Sequence, residues 1–173
     1  MSFTTDFTKA TQAYELNKDI IQKQLNGELY SLELSKNELN KLFDQHASTD
    51  ILYKKKNGLM YGIAMRVNFN KNNFNSVTIR YSRANGIKTE YAKTVDAILN
   101  KAITSFYGIQ IDVDDEYKLI KGIIYNRYDL FNYIQNYKEK TIENNLREVW
   151  DGNTYLKFCY EDFNKFNIQN KLF

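Results

Sequence analysis

The stretch from Thr49 to Arg83 constrains the fold more than any other part of the chain, because residue period, turn residues and polar residues agree there. Ile51 to Lys54 reads as a strand, and Asn57-Gly58 supplies the positive φ angles of a tight turn. Met60 to Phe69 is a second strand, Lys71 to Asn75 a polar turn, and Val77 to Ser82 a third strand. Successive side chains on a strand point to opposite faces, so Tyr61, Ile63, Met65, Val67 and Phe69 share one face and belong to a core. Met60, Gly62, Ala64, Arg66 and Asn68 share the other. On the third strand Val77, Ile79 and Tyr81 are the apolar set, opposite Ser76, Thr78, Arg80 and Ser82. An antiparallel meander of the three strands puts Arg66 and Arg80 on one basic surface, with Asp50 beside it.

The flanking sequence supplies helices. Phe7, Ala10, Tyr14, Ile21 and Leu25 recur at three- and four-residue steps, the stripe of an amphipathic helix with Asp6 as cap and Gly27 as stop. Glu28 to Leu34 is ambiguous and reads as extended. Ser35 and Glu38 form a capping-box pattern ahead of a short helix ending near His46. After the Ala84-Asn85-Gly86 turn, Thr89 to Ala102 returns to helical spacing, with Tyr91, Val95, Ile98 and Leu99 inward and Glu90, Lys93 and Asp96 outward. Thr104 to Val113 alternates as a fourth strand. The acidic group Asp112, Asp114, Asp115 and Glu116 lacks the ligand spacing of a calcium loop and reads as a solvated turn. Tyr117 to Tyr125 is a fifth strand, Tyr128 to Tyr137 a helix, and Leu146 to Tyr160 a closing hairpin about Asp151-Gly152-Asn153. The last dozen residues read as a packed or frayed tail.

With 173 residues the chain reads as a single domain, 1–173, with a core over 6–113 and an α+β extension over 114–173. A net charge of +3 permits an anionic partner without requiring one, so local arrangement must decide. One cysteine, Cys159, excludes an internal disulfide, and one histidine, His46, leaves no histidine metal centre or Ser-His-Asp triad that does not use it. No apolar run is long enough to span a membrane and no basic-then-apolar leader appears, so a cytoplasmic chain without a membrane partner is expected.

The order helix, three strands, helix, strand resembles the core of the PD-(D/E)XK nuclease-like superfamily, most closely over Asp50 to Arg66. The resemblance implies an α+β, restriction-endonuclease-like core. It implies an aspartate at the first hairpin strand, here Asp50. An acid, one spacer and a lysine should follow on the next strand, and a glutamate such as Glu15 on the first helix. The acids would hold Mg or Mn for phosphodiester hydrolysis, the lysine a water. Here the second motif reads Ala64-Met65-Arg66. Alanine cannot ligate a metal, and arginine is a poor water activator but a good phosphate contact. Either Glu90 or Glu15 replaces the missing carboxylate, with Lys93 replacing the lysine, or the scaffold binds without cutting. The second reading leads.

Three functions follow. The first is a nucleic-acid-binding, nuclease-like protein without efficient catalysis, from a phage or mobile element. DNA stands ahead of RNA, with Arg66, Arg80, Arg83, Lys88 and the Lys54-Lys55-Lys56 turn meeting phosphates. The second is an active metal-dependent nuclease using Asp50, Glu90 or Glu15. The third is a protein-binding module or inhibitor of a host protein that uses Tyr125, Tyr128, Phe131, Tyr133 and Tyr137 as its interface.

Overall fold

A computed structural model describes residues 3–25, 27–31, 50–100 and 105–173. Helix α1 (Phe3–Leu25) leads into β1 (Gly27–Ser31), β2 (Ile51–Lys55) and β3 (Met60–Asn68). A 3-10 turn (Lys71–Asn73) precedes β4 (Ser76–Ser82), followed by α2 (Glu90–Leu99), β5 (Tyr107–Val113) and β6 (Leu119–Asn126). Helices α3 (Arg127–Asn136) and α4 (Lys138–Asn145), strands β7 (Leu146–Glu148) and β8 (Thr154–Cys159), α5 (Asp162–Lys165) and β9 (Asn170–Leu172) complete it. The capping-box helix and His46 lie outside the described residues, as does Ala102. Asp6 lies inside α1 rather than at its cap.

The fold is α+β, and the strands divide between two sheets. The main sheet has six strands in the order β1-β2-β3-β5-β6-β9, and the second has three in the order β4-β8-β7. The β2–β3 hairpin forms in the expected register, Ile51 opposite Ile63 and Tyr53 opposite Tyr61. Its turn differs: Lys55 N donates to Leu59 O at 2.9 Å, and only Gly58 takes a positive φ, +89°. That is a three-residue loop with a glycine bulge rather than a two-residue Asn-Gly turn.

The three-stranded antiparallel meander does not form. β3 pairs in parallel with β5, from Ile63 opposite Tyr107 to Asn68 opposite Asp112, and β4 pairs with β8 in the second sheet. The reason lies between Asn68 and Ser76. Asn68 Nδ2 donates to Asn73 O and Ser76 O, both at 3.1 Å, and Asn75 adopts a left-handed φ of 61°. This link turns the chain out of the main sheet into the next layer. Alternation along a strand reports its two faces and is silent about its neighbour.

Helix α1 covers one face of the main sheet, burying Ala13, Tyr14 and Ile21 against Ile51, Tyr53, Ile63, Ile109, Ile111 and Ile124. The other face meets the second sheet and α2 and α3, through Ile123 and Tyr125 on one side and Val77, Ile79, Tyr91, Phe131 and Phe158 on the other. β5 is therefore buried on both faces, which its alternating sequence does not announce. Gly108 is required there, because a Cβ would stand 2.1 Å from the Tyr125 ring.

Two expectations for the second half change and a third is narrowed. Asp112 is 1% exposed, not part of a solvated turn. Its carboxylate accepts from Asn68 Nδ2 at 2.8 Å, Asn75 N at 2.8 Å and Tyr160 OH at 3.1 Å, joining the two sheets. Of the two readings of the chain's end, packed or frayed, the packed one holds: β9 pairs with β6, and Gly122 and Phe173 exchange backbone hydrogen bonds of 2.7 and 3.0 Å. The aromatic interface set also divides, with Tyr125 and Phe131 in the core, Tyr128 and Tyr133 half-buried and Tyr137 exposed. The closing hairpin β7–β8 forms as read. Among the described residues no helix is long and apolar enough to cross a membrane.

Candidate anion-binding site

Although the meander divides, its basic residues meet. Asp50, Met65, Arg66, Arg80, Arg83, Lys88, Glu90 and Lys93 line one pocket of about 240 Å³ between the end of β3, the end of β4 and the start of α2. Strands from two layers deliver the side chains that one sheet face was expected to carry.

Asp50 stands at the entry to β2. Its amide donates to Ile63 O at 2.9 Å and its Oδ2 accepts from the Met65 amide at 2.7 Å. The carboxylate thus ties the entry of β2 to β3. Glu90 is the first residue of α2, capped by Thr89, and a carboxylate at a helix N-terminus is favoured by the unpaired amides there. Arg66 donates to Glu90 Oε2 from Nε at 3.2 Å and from Nη2 at 3.0 Å. Arg127 Nη2 reaches Glu90 Oε1 at 3.2 Å. Burial pushes the Glu90 carboxyl upward, but the two guanidinium groups outweigh it and hold it below the ordinary carboxylate range.

Arg127 was not singled out in the sequence. It is 1% exposed, donates to Thr94 Oγ1 at 3.0 Å and Ser105 O at 3.4 Å, and lies 5.1 Å from the Phe131 ring centre. The available signal was an arginine set between Tyr125 and Phe131 in the most aromatic part of the chain, where a charge needs a partner. Helix periodicity gives no way to choose Glu90 as that partner.

Arg80 and Arg83 differ from Arg66. Among the described residues neither guanidinium has a hydrogen-bond or ion-pair partner, and Arg83 Nε is fully buried without one. Burial lowers the Arg80 pKa, and Arg66 and Arg83 beside it lower it further, against smaller opposing effects of Glu90 and Asp151. The charge of Arg80 is therefore held at a cost that a bound anion would relieve. Lys88 pairs with Asp96 at 2.6 Å on the surface, and Lys93 stands on the lining.

A second cavity of about 210 Å³ shares Asp50, Met65 and Arg66 with the first and continues past Tyr14, Thr78 and Gln110. Among the described residues the buried Tyr14 hydroxyl has no partner, and burial, helped by Glu15, raises its pKa to about 12. Glu15 itself is exposed on α1 and lies outside both linings. Lys54, Lys55 and Lys56 are at the far end of β2, roughly 15 Å along the strand from Asp50, where Lys55 Nζ sits 4.8 Å over the Tyr61 ring.

No family model matches the chain, and no curated protein is significantly similar to it.

The donor set does not suit a divalent cation. Glu90 is held between two guanidinium groups, Asp50 Oδ2 is engaged by a backbone amide, and Ala64 is buried opposite Gly108 on β5. Among the described residues no group of three or more His, Cys, Asp or Glu side chains comes together. The pocket counts five cationic side chains against two engaged carboxylates, which suits an oxyanion.

Proposed function

We propose that the protein binds nucleic acid through this pocket, as a nuclease-like scaffold that holds a backbone phosphate without hydrolysing it efficiently. The observation that carries the reading is the pair Arg80 and Arg83, half-buried, adjacent and without partners among the described residues, in a concavity whose carboxylates are already engaged. Guanidinium groups in that state match phosphate oxygens in charge and geometry. The chain order around Asp50 and Arg66 supports the nuclease-like part of the proposal, and the engagement of Asp50 and Glu90 supports binding over cutting.

Filter binding and a cleavage assay test it together. Single- and double-stranded oligonucleotides are titrated at low salt with wild type and Arg80→Ala/Arg83→Ala, and uncut substrate is followed in Mg²⁺ and Mn²⁺. The expected result is salt-sensitive binding that the double variant weakens about ten-fold or more, with intact substrate throughout. Absence of binding at low salt contradicts the proposal. Metal-dependent cleavage abolished by Asp50→Ala replaces it with an active nuclease.

A further inference from the structure

The turn between β7 and β8 carries the chain's single tryptophan, Trp150, at 99% exposure. The turn itself is well made. Gly152 N donates to Val149 O and Val149 N to Asn153 O, each at 3.0 Å, with Gly152 at a φ of 80°. It is also fixed in place against the arginines. The Ala84 amide donates to Asn153 Oδ1 at 2.9 Å, immediately after Arg83, and β4 pairs with β8 from Ser76 to Ser82. Arg80 lies opposite Tyr155 on β8, and Tyr155 lies opposite Arg147 on β7. Cross-strand partners share a sheet face, so arginine, tyrosine and arginine form a row across the second sheet from β4 to β7, the strand that leads into the tryptophan turn.

A fully exposed tryptophan buries nothing and gives the fold no packing energy. The turn that carries it is tied by Asn153 to Ala84, next to Arg83, and Arg80 and Arg83 have no partner among the described residues, which points to a ligand that is anionic and also carries flat aromatic faces. Duplex DNA presents phosphates but keeps its base faces stacked inside, whereas a single strand offers both.

Resting on the phosphate-binding reading above, we propose that the ligand is single-stranded nucleic acid, with an unpaired base stacked on Trp150 while its backbone phosphate enters the Arg80–Arg83 pocket. The selectivity is for strandedness, since every base has a face to stack, and sequence preference is weak. The Arg80–Tyr155–Arg147 row extends the same alternation of charge and ring across the second sheet.

Because Trp150 is the only tryptophan, its emission reports stacking while filter retention reports binding, and the two claims separate. Wild type and Trp150→Ala are titrated with a short oligothymidine and with a duplex of the same length. The expected result is quenched emission with oligothymidine and none with duplex, and about a ten-fold loss of oligothymidine affinity in Trp150→Ala with duplex affinity within about two-fold. The substitution is at an exposed turn and leaves the core untouched, so an unchanged thermal melt accompanies it. Retention of oligothymidine with unaltered emission and unaltered Trp150→Ala affinity overturns the stacking inference and leaves the phosphate pocket standing. Failure of both ligands to bind overturns both. A blue-shifted emission on anionic lipid vesicles, without response to oligothymidine, overturns the inference in favour of a membrane surface.

Discussion

Arg66 and Asn68 are two residues apart on the same face of β3, and each sits in a polar cluster linking the main sheet to the second layer, but the clusters are finished to different degrees. Around Asn68 the donors and acceptors close on one another. Gln110 Nε2 donates to Asn68 Oδ1 at 2.8 Å, Asn68 Nδ2 to Asp112, and Tyr160 and the Asn75 amide to the same carboxylate. Around Arg66 the cluster closes only in part. Arg66 and Arg127 share the Glu90 carboxylate, with Arg127 Nε left without a partner among the described residues, while Arg80 and Arg83 bring two further guanidinium groups that have none there. Buried polar groups that serve only the fold are expected to complete their hydrogen bonds, because leaving them unpaired costs stability. The cluster with donors left over is the one that the proposed phosphate would complete.

Breaking the closed cluster gives the largest effect, and it is on stability. Asp112→Ala leaves the Tyr160 hydroxyl and the Asn75 amide without their acceptor, and is expected to lower unfolding free energy by about 3 kcal/mol in urea titration. The affinity of the folded fraction for an oligonucleotide should be unchanged.

Breaking the open cluster has the converse signature. Arg80→Ala/Arg83→Ala removes like charges that repel, so the unfolding free energy stays within about 0.5 kcal/mol of wild type or rises. Oligonucleotide binding falls about ten-fold or more, measured by filter retention.

Glu90 sharpens the comparison, since it belongs to the satisfied half of the open cluster. Its pKa is depressed on folding, so its contribution is complete above the unfolded carboxyl value of 4.5 and is lost as pH falls through the folded value. Glu90 is 17% exposed, between a fully buried pair and a surface one. Glu90→Gln should therefore cost about 1 kcal/mol near neutral pH and shrink the acid limb of a stability–pH profile. A variant whose acid limb matches wild type removes Glu90 from the ion cluster.

The smallest effect belongs to the lysine turn. Lys54→Ala, Lys55→Ala and Lys56→Ala together are expected to change affinity by less than about two-fold at moderate salt, because surface charges beyond a Debye length are largely screened. A larger loss would show that the bound strand runs the length of β2.

How much of this was legible in the sequence follows from the same comparison. The strands and the two long helices were readable as elements, because each depends on a local period: Ile63 and Ile79 are buried where alternation put them, although on α2 Leu99, expected inward, is 74% exposed and Glu90, expected outward, is only 17% exposed. Asp50, Arg66, Arg80, Arg83, Lys88, Glu90 and Lys93 were all named, and they do meet. The route by which they meet was not readable. β4 leaves the main sheet through Asn68 and Asn75, and its partner β8 lies more than seventy residues on, a pairing that no local pattern encodes. Asp112 was misread because its acidic neighbours Asp114, Asp115 and Glu116 look like a solvated turn, and only the fold shows that the strand's last turn inward buries it. Arg127 was missed because a buried charge declares itself only through its partners.

The most direct test of the central claim, that the Arg80–Arg83 pocket holds a backbone phosphate, is the salt dependence of single-strand affinity in wild type and Arg80→Ala/Arg83→Ala. Each phosphate contact on a single strand adds about 0.7 to the slope of log affinity against log salt. The double variant should bind more weakly with a slope shallower by about 0.7 to 1.4, according to whether the two arginines grip one phosphate or two. Equal slopes and equal affinities for the two proteins would contradict the account.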